Sequence, residues 1–131
     1  MKIDIVNPES LGAPKGYSNG ILCEGAKLLF VAGQIGWDGE YRIVSDDFAD
    51  QFSQALSNVV TVVRSAGGGP ENIVRLLIFV VDKAEYVSRL KDVGTAYRQI
   101  MGKHFPAMSL VEVNGLLEDL AKVEIEATAA I

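Results

Sequence analysis

The chain has 131 residues, enough for one hydrophobic core and too few for two, so residues 1–131 are expected to form a single domain. Apolar residues at 49% and charged residues at 22% exclude an unfolded polar chain, and a net charge of −5 has the wrong sign for a protein whose affinity rests on phosphate contacts. That charge makes a nucleic-acid partner unexpected, while one cysteine, Cys23, and one histidine, His104, exclude an intramolecular disulfide and every His/Cys zinc pattern; no metal site is expected, a carboxylate-only magnesium or calcium site being the alternative left open, with no EF-hand spacing present.

The first residues lack an apolar region of signal-peptide length, and the longest apolar run, Leu76 to Val81, is too short to span a bilayer. A cytoplasmic location with no membrane partner is the expectation. Lys2 to Val6 alternates polar and apolar residues and predicts a strand. Pro8, Gly12, Pro14, Gly16 and Gly20 then predict a loop, followed by strands at Ile21–Glu24 and Leu28–Ala32 joined at Gly25-Ala26. Phe48, Phe52, Ala55, Leu56, Val59 and Val63 recur at helical spacing, with N-cap oxygens at Ser45, Asp46 and Asp47 and a stop at Gly67-Gly68-Gly69-Pro70. Ile73 to Val81, apolar apart from Arg75, predicts a strand buried on both faces.

Asp82-Lys83-Ala84-Glu85 has the form of a capping box and opens a second helix. Its stripe runs through Tyr86, Leu90, Val93, Tyr97 and Ile100 and should stop near Gly102. Strands over Met108–Asn114 and Lys122–Ala130 complete the pattern, the last alternating Val123, Ile125 and Ala127 with Glu124, Glu126 and Thr128. The order β-β-β-α-β-α-β-β predicts an α+β fold in which a mixed sheet of about six strands carries two helices on one face. The other face would expose apolar side chains in a monomer, so self-association is expected on physical grounds.

Four segments together resemble one family. Ala13-Pro14-Lys15-Gly16-Tyr17-Ser18 is similar to a Gly-Pro-Tyr-Ser loop, Phe30 to Ile35 to a "VSGQI" strand end, Phe105-Pro106-Ala107-Met108-Ser109 to "PPARS", and Val123 to Ala127 to "VEIEA". Their order and spacing resemble the reactive intermediate deaminase family (RidA, also called YjgF). The resemblance implies a chorismate-mutase-like homotrimer with small-molecule clefts between subunits. It also implies hydrolysis of enamines and imines such as 2-aminoacrylate to a keto acid and ammonia, with no cofactor.

Residue by residue, the resemblance puts Glu124 and Tyr17 in catalytic positions, Glu124 to hold the attacking water and Tyr17 to line the cleft. Gly33, Ala32, Gly94, Met108 and Leu110 fall at substrate-binding positions. Each has a structural alternative: Glu124 as a solvent-facing strand carboxylate, Tyr17 as a surface ring, Gly33 as a residue chosen for its backbone freedom. The family's arginine is replaced by Met108, and a thioether cannot make the bidentate pair a guanidinium makes with a carboxylate. Ala32, Leu110 and Gly94 stand where Ser, Cys and Asn are common, so the expected cleft has lost polar groups in concert.

Two functions follow from these residues. The first is a deaminase or hydrolase of a reactive enamine or imine, or of an aminomuconate-like metabolite with a larger body, for which 2-aminoacrylate would be a poor substrate. The second is a non-catalytic small-ligand-binding or regulatory homotrimer. Lys15, Arg98, Lys103 and His104 are the candidate replacements for the missing cation, His104 being expected to face solvent from its loop.

Overall fold

A computed structural model describes residues 1–131. Strands β1 (Lys2–Val6) and β2 (Gly20–Glu24) form an antiparallel ribbon, Lys2 opposite Glu24 and Val6 opposite Gly20. Strands β3 (Leu28–Ile35), β4 (Ile73–Val80), β5 (Ala107–Glu112) and β6 (Val123–Ala130) form a separate sheet in the order β3-β6-β4-β5. Only β4 and β5 run parallel, so this sheet is mixed as expected. The six strands are divided between two sheets rather than joined in one. Gly25, at φ 67°, turns the chain away from β2, and backbone hydrogen bonds in both directions between Lys27 and Ile131 (2.7 and 2.8 Å) align β3 with β6 instead.

Helix α1 (Phe48–Ser65) starts where expected: the Asp47 carboxylate accepts from the Asp50 amide at 3.0 Å, satisfying a free N–H of the first turn. Its apolar stripe is wholly buried, packed with Leu76, Ile78 and Val80 of β4 and Val123, Ile125 and Ala127 of β6. The second expected helix is two, α2 (Lys83–Ser88) and α3 (Leu90–Met101), divided at Arg89, whose ψ of 16° leaves the helical range. The break gives Arg89 hydrogen bonds to both Asp47 and Asp92. The capping box is half-formed: Asp82 accepts from the Ala84 and Glu85 amides, while Glu85 turns to Lys122 at 3.3 Å. The helix ends at Gly102, φ 65°, as its sequence predicts.

The helices cover one face of the four-stranded sheet. Strand β4 is correspondingly not buried on both sides: Ile73, Leu76, Ile78 and Val80 are enclosed, Leu77 and Phe79 half-buried and Arg75 exposed. Leu77 and Phe79 share the second face with Glu126 and Glu124, their partners on β6. Phe30, opposite Thr128 on this same face, is 73% exposed. No helix is long and apolar enough to cross a membrane.

Candidate functional site

The β3–β6 ladder shifts register between Val31 and Gln34, placing Ala32 and Gly33 in a bulge. A Cβ on Gly33 would lie 2.6 Å from Glu124 Oε1 and 2.8 Å from its Cδ, so the carboxylate rests against the bulged backbone where only glycine leaves room. The two residues line a hollow of about 260 Å³ with Ile35, Trp37, Leu116, Leu117 and a second carboxylate, Glu118. Glu124 is half-buried, and no ion pair of the chain uses it. A carboxylate in this setting can accept from a water molecule and take its proton. Ala32 is exposed, its carbonyl accepting from the Gln34 side chain at 3.2 Å.

Two polar side chains of α1 brace the backbone at the ends of β3 and β6 that carry this hollow, and the sequence reading missed them. Gln51, fully buried, donates to the carbonyls of Ser45 (2.9 Å) and Leu120 (3.1 Å) and accepts from the Lys122 amide (2.8 Å). It therefore fixes the segment entering β6 two residues before Glu124. Asn58 donates to the carbonyls of Ile35 (3.1 Å) and Trp37 (3.0 Å) at the end of β3. Gly36 lets β3 approach α1 closely, since a Cβ there would lie 2.7 Å from the Gln51 Cα. The one available signal was Gln51, an amide beside Phe48, Phe52 and Ala55 on the apolar stripe of α1; Asn58 lies among the other polar residues of the helix and carried none.

Met108 is elsewhere. On β5 it stands opposite Leu76, which faces the helices, whereas Glu124 stands opposite Phe79 on the other face. Met108 and Gly94 line a cavity of about 360 Å³ between the sheet, α2 and α3, together with Gly16 and Arg98. Tyr17 is 41% exposed on a loop pinned to the start of β5, where the Ser18 amide donates to the Pro106 carbonyl at 3.1 Å. Leu110 is half-buried against the core. Within one chain, then, Gly33 meets Glu124 and Gly94 meets the Met108 cavity, but the two groups do not meet each other.

Of the four candidate cations, only Arg98 lines that cavity. Lys15 and Lys103 are exposed and unpaired. His104 does not simply face solvent: it is half-buried, and its Nε2 donates to the Ile73 carbonyl at 2.6 Å, tying its loop to the start of β4. Burial pushes the Tyr86 and Tyr97 phenols above their ordinary range, so both are neutral donors or acceptors. Tyr97 already donates to the His104 carbonyl at 2.7 Å.

Residues 8–131 match the family model described as Endoribonuclease L-PSP. Human 2-iminobutanoate/2-iminopropanoate deaminase is 29% identical over 119 residues, covering 90% of this chain and 82% of the human protein. The deaminase of the same name from Salmonella typhimurium is 35% identical over 105 residues, covering 78% of each. Among solved structures, YyfB of Yersinia pestis, a Rid family protein of unknown function, overlays with a TM-score of 0.89 at 30% identity over 100% of both chains. Escherichia coli TdcF with bound serine overlays at 0.69 and 30% identity, covering 92% of this chain and 91% of that one. Matched along almost its whole length in both sequence and structure, the chain belongs to the RidA/YjgF family.

Proposed function

We propose that this protein hydrolyses a reactive enamine or imine metabolite to a carbonyl compound and ammonia, without a cofactor, in a cleft that two copies of the chain complete. The observation carrying this reading is the Glu124 carboxylate, unpaired and laid against Gly33 at the wall of a small hollow. There it takes a proton from water as the oxygen adds to the imine carbon, then returns a proton to the nitrogen as the C–N bond breaks and ammonia leaves. Water and imine are the only reactants, so the step balances with no oxidant or metal. The deaminase relatives supply the reaction class, and a net charge of −5 favours a small metabolite over the RNA that the family model's description evokes.

Self-association is supported by two features. The Gly33–Glu124 and Gly94–Met108 groups lie on opposite faces of one sheet, so one ligand reaches both only if a second copy brings the missing half. Phe30, Leu28 and Val111 also leave an apolar face open. We place Tyr17 and Ala32 at the rim of that shared cleft, take the assembly to be a homotrimer and the protein to be cytoplasmic. A small 2-imino acid lacks a clamp at Met108, which favours substrates with a larger body.

Ammonia release from a panel of freshly generated enamines tests the assignment. Turnover that falls by about two orders of magnitude or more in Glu124→Gln is the expected result. An inert wild type, with turnover of 2-iminopropanoate appearing in Met108→Arg, would establish the ligand-binding alternative instead. Light scattering that showed a stable monomer at micromolar concentration would remove the shared cleft.

A further inference from the structure

We propose that Arg98 is the anion-binding group of the cavity between the sheet, α2 and α3, and that this cavity takes a carboxylate whose remaining body is bulky and apolar. The inference builds on the small-molecule function proposed above. It starts from an unbalanced charge. Arg98 is the only charged residue lining the cavity, whose other walls include Phe52, Ile78, Val93, Phe105 and Met108. The ion pairs of the chain use Lys2, Arg42, Arg89 and Lys122, leaving Arg98 without an acidic partner.

Its position has a local cause. A long side chain on a helix lies back over the preceding turn, and the residue four positions earlier is Gly94. A Cβ at Gly94 would stand 3.2 Å from Arg98 Nη1, tighter than ordinary contact, so the guanidinium occupies the room that a missing side chain leaves. It points one turn toward the start of α3, away from the last carbonyls of the helix, which a cation serving the helix dipole would approach. The cavity's one further unengaged polar group is Tyr86, because the only tyrosine hydroxyl with a hydrogen-bond partner is that of Tyr97.

A planar cation on the exposed rim of an apolar hollow of about 360 Å³ selects an amphipathic anion. The carboxylate pairs with the fork while the body displaces water from Met108 and the aromatic rings. Glycine at 94 and methionine at 108 then belong to one arrangement. The first seats a guanidinium delivered from the helix, and the second gives the ligand's body an adaptable apolar contact.

Calorimetric titration with 3-phenylpropanoate, its amide 3-phenylpropanamide and propanoate reads this without relying on turnover. The aromatic acid should bind wild type at least tenfold more tightly than either comparison compound. Arg98→Gln and Gly94→Asn should each weaken the acid about tenfold, corresponding to about 1.4 kcal/mol, and leave the amide unchanged. Arg98→Lys should recover part of the loss. Equal affinity of wild type and Arg98→Gln for the acid, with unchanged circular dichroism, would overturn the proposal, as would propanoate binding as well as the aromatic acid. Binding that depends on Arg98 in a protein that releases no ammonia leaves this inference standing and removes the deaminase. Turnover that depends on Glu124 but whose KM ignores Arg98 does the reverse.

Discussion

Glu124 and Met108 stand on strands separated only by β4, yet the ground around them is built differently. The Glu124 hollow has side chains in its walls too, Trp37, Leu116 and Leu117 among them, but the acid itself rests on backbone: a bulge, a glycine with no room for a Cβ, and nearby carbonyls held by Gln51 and Asn58. Buried amides that satisfy main-chain groups leave the acid's surroundings few alternatives, which is what holding a water in line with an imine requires. The Met108 cavity is framed by side chains, apolar except for one free guanidinium and two phenols. Side-chain walls can change shape with little effect on the ladder hydrogen bonds. This chain thus carries one hollow whose acid is seated on fixed backbone and one cavity whose walls are side chains free to vary.

The largest effect that would break this contrast is at the acid itself. Glu124→Gln keeps the shape and removes the base, so turnover should drop by a factor of about 10² to 10⁴ with the thermal midpoint unchanged. Gln51→Leu comes next. It strips partners from the Ser45, Leu120 and Lys122 backbone groups, and urea unfolding should show a loss of about 2–4 kcal/mol with an unaltered m-value.

Gly33 in β3 and Gly36 just past its end sharpen the contrast further. A methyl at Gly36 meets the Gln51 backbone, which cannot move aside, and Gly36→Ala should cost about 1–3 kcal/mol. A methyl at Gly33 meets the flexible tip of Glu124, so Gly33→Ala should lose activity by displacing the acid while costing much less stability in the same urea series. If the two substitutions proved equally destabilising, Gly33 would be a folding residue and its tie to Glu124 incidental.

The sequence was legible where periodicity and punctuation repeat along a segment. Helix α1, its cap at Asp47, the stop at Gly102 and the alternating last strand all follow from local pattern. The division of the strands was not legible, because which strand takes β3 as a neighbour is decided by Ile131 and β6 across the whole length of the chain. Nor was the break at Arg89, which bonds an acid 42 positions away in sequence, or the clamp at Gln51, whose partners at 120 and 122 no helical pattern announces. Four candidate cations could be named, but choosing Arg98 needed the fold that turns α3 toward Met108.

The smallest effect concerns the join between α1 and the α2–α3 break, which both regions lean on. Hydrogen bonding from Arg89, and then from the Asp50 amide, holds the Asp47 carboxyl below its ordinary value of 3.8. A carboxylate whose folded pKa is depressed contributes stability in full above the unfolded value and loses it as pH falls through the folded one. Arg89→Gln removes the main cause of the depression, so wild type should be the more stable at neutral pH. The gap should close in acid, once Asp47 is protonated in both proteins. Both side chains of the pair are about one-third exposed (31% and 36%), so screening keeps the difference small, and added salt should shrink it further. Thermal midpoints of the two proteins at neutral and acidic pH measure this directly; a gap that persists after protonation would show that Arg89 acts through packing at the helix break and not through the charge it shares with Asp47.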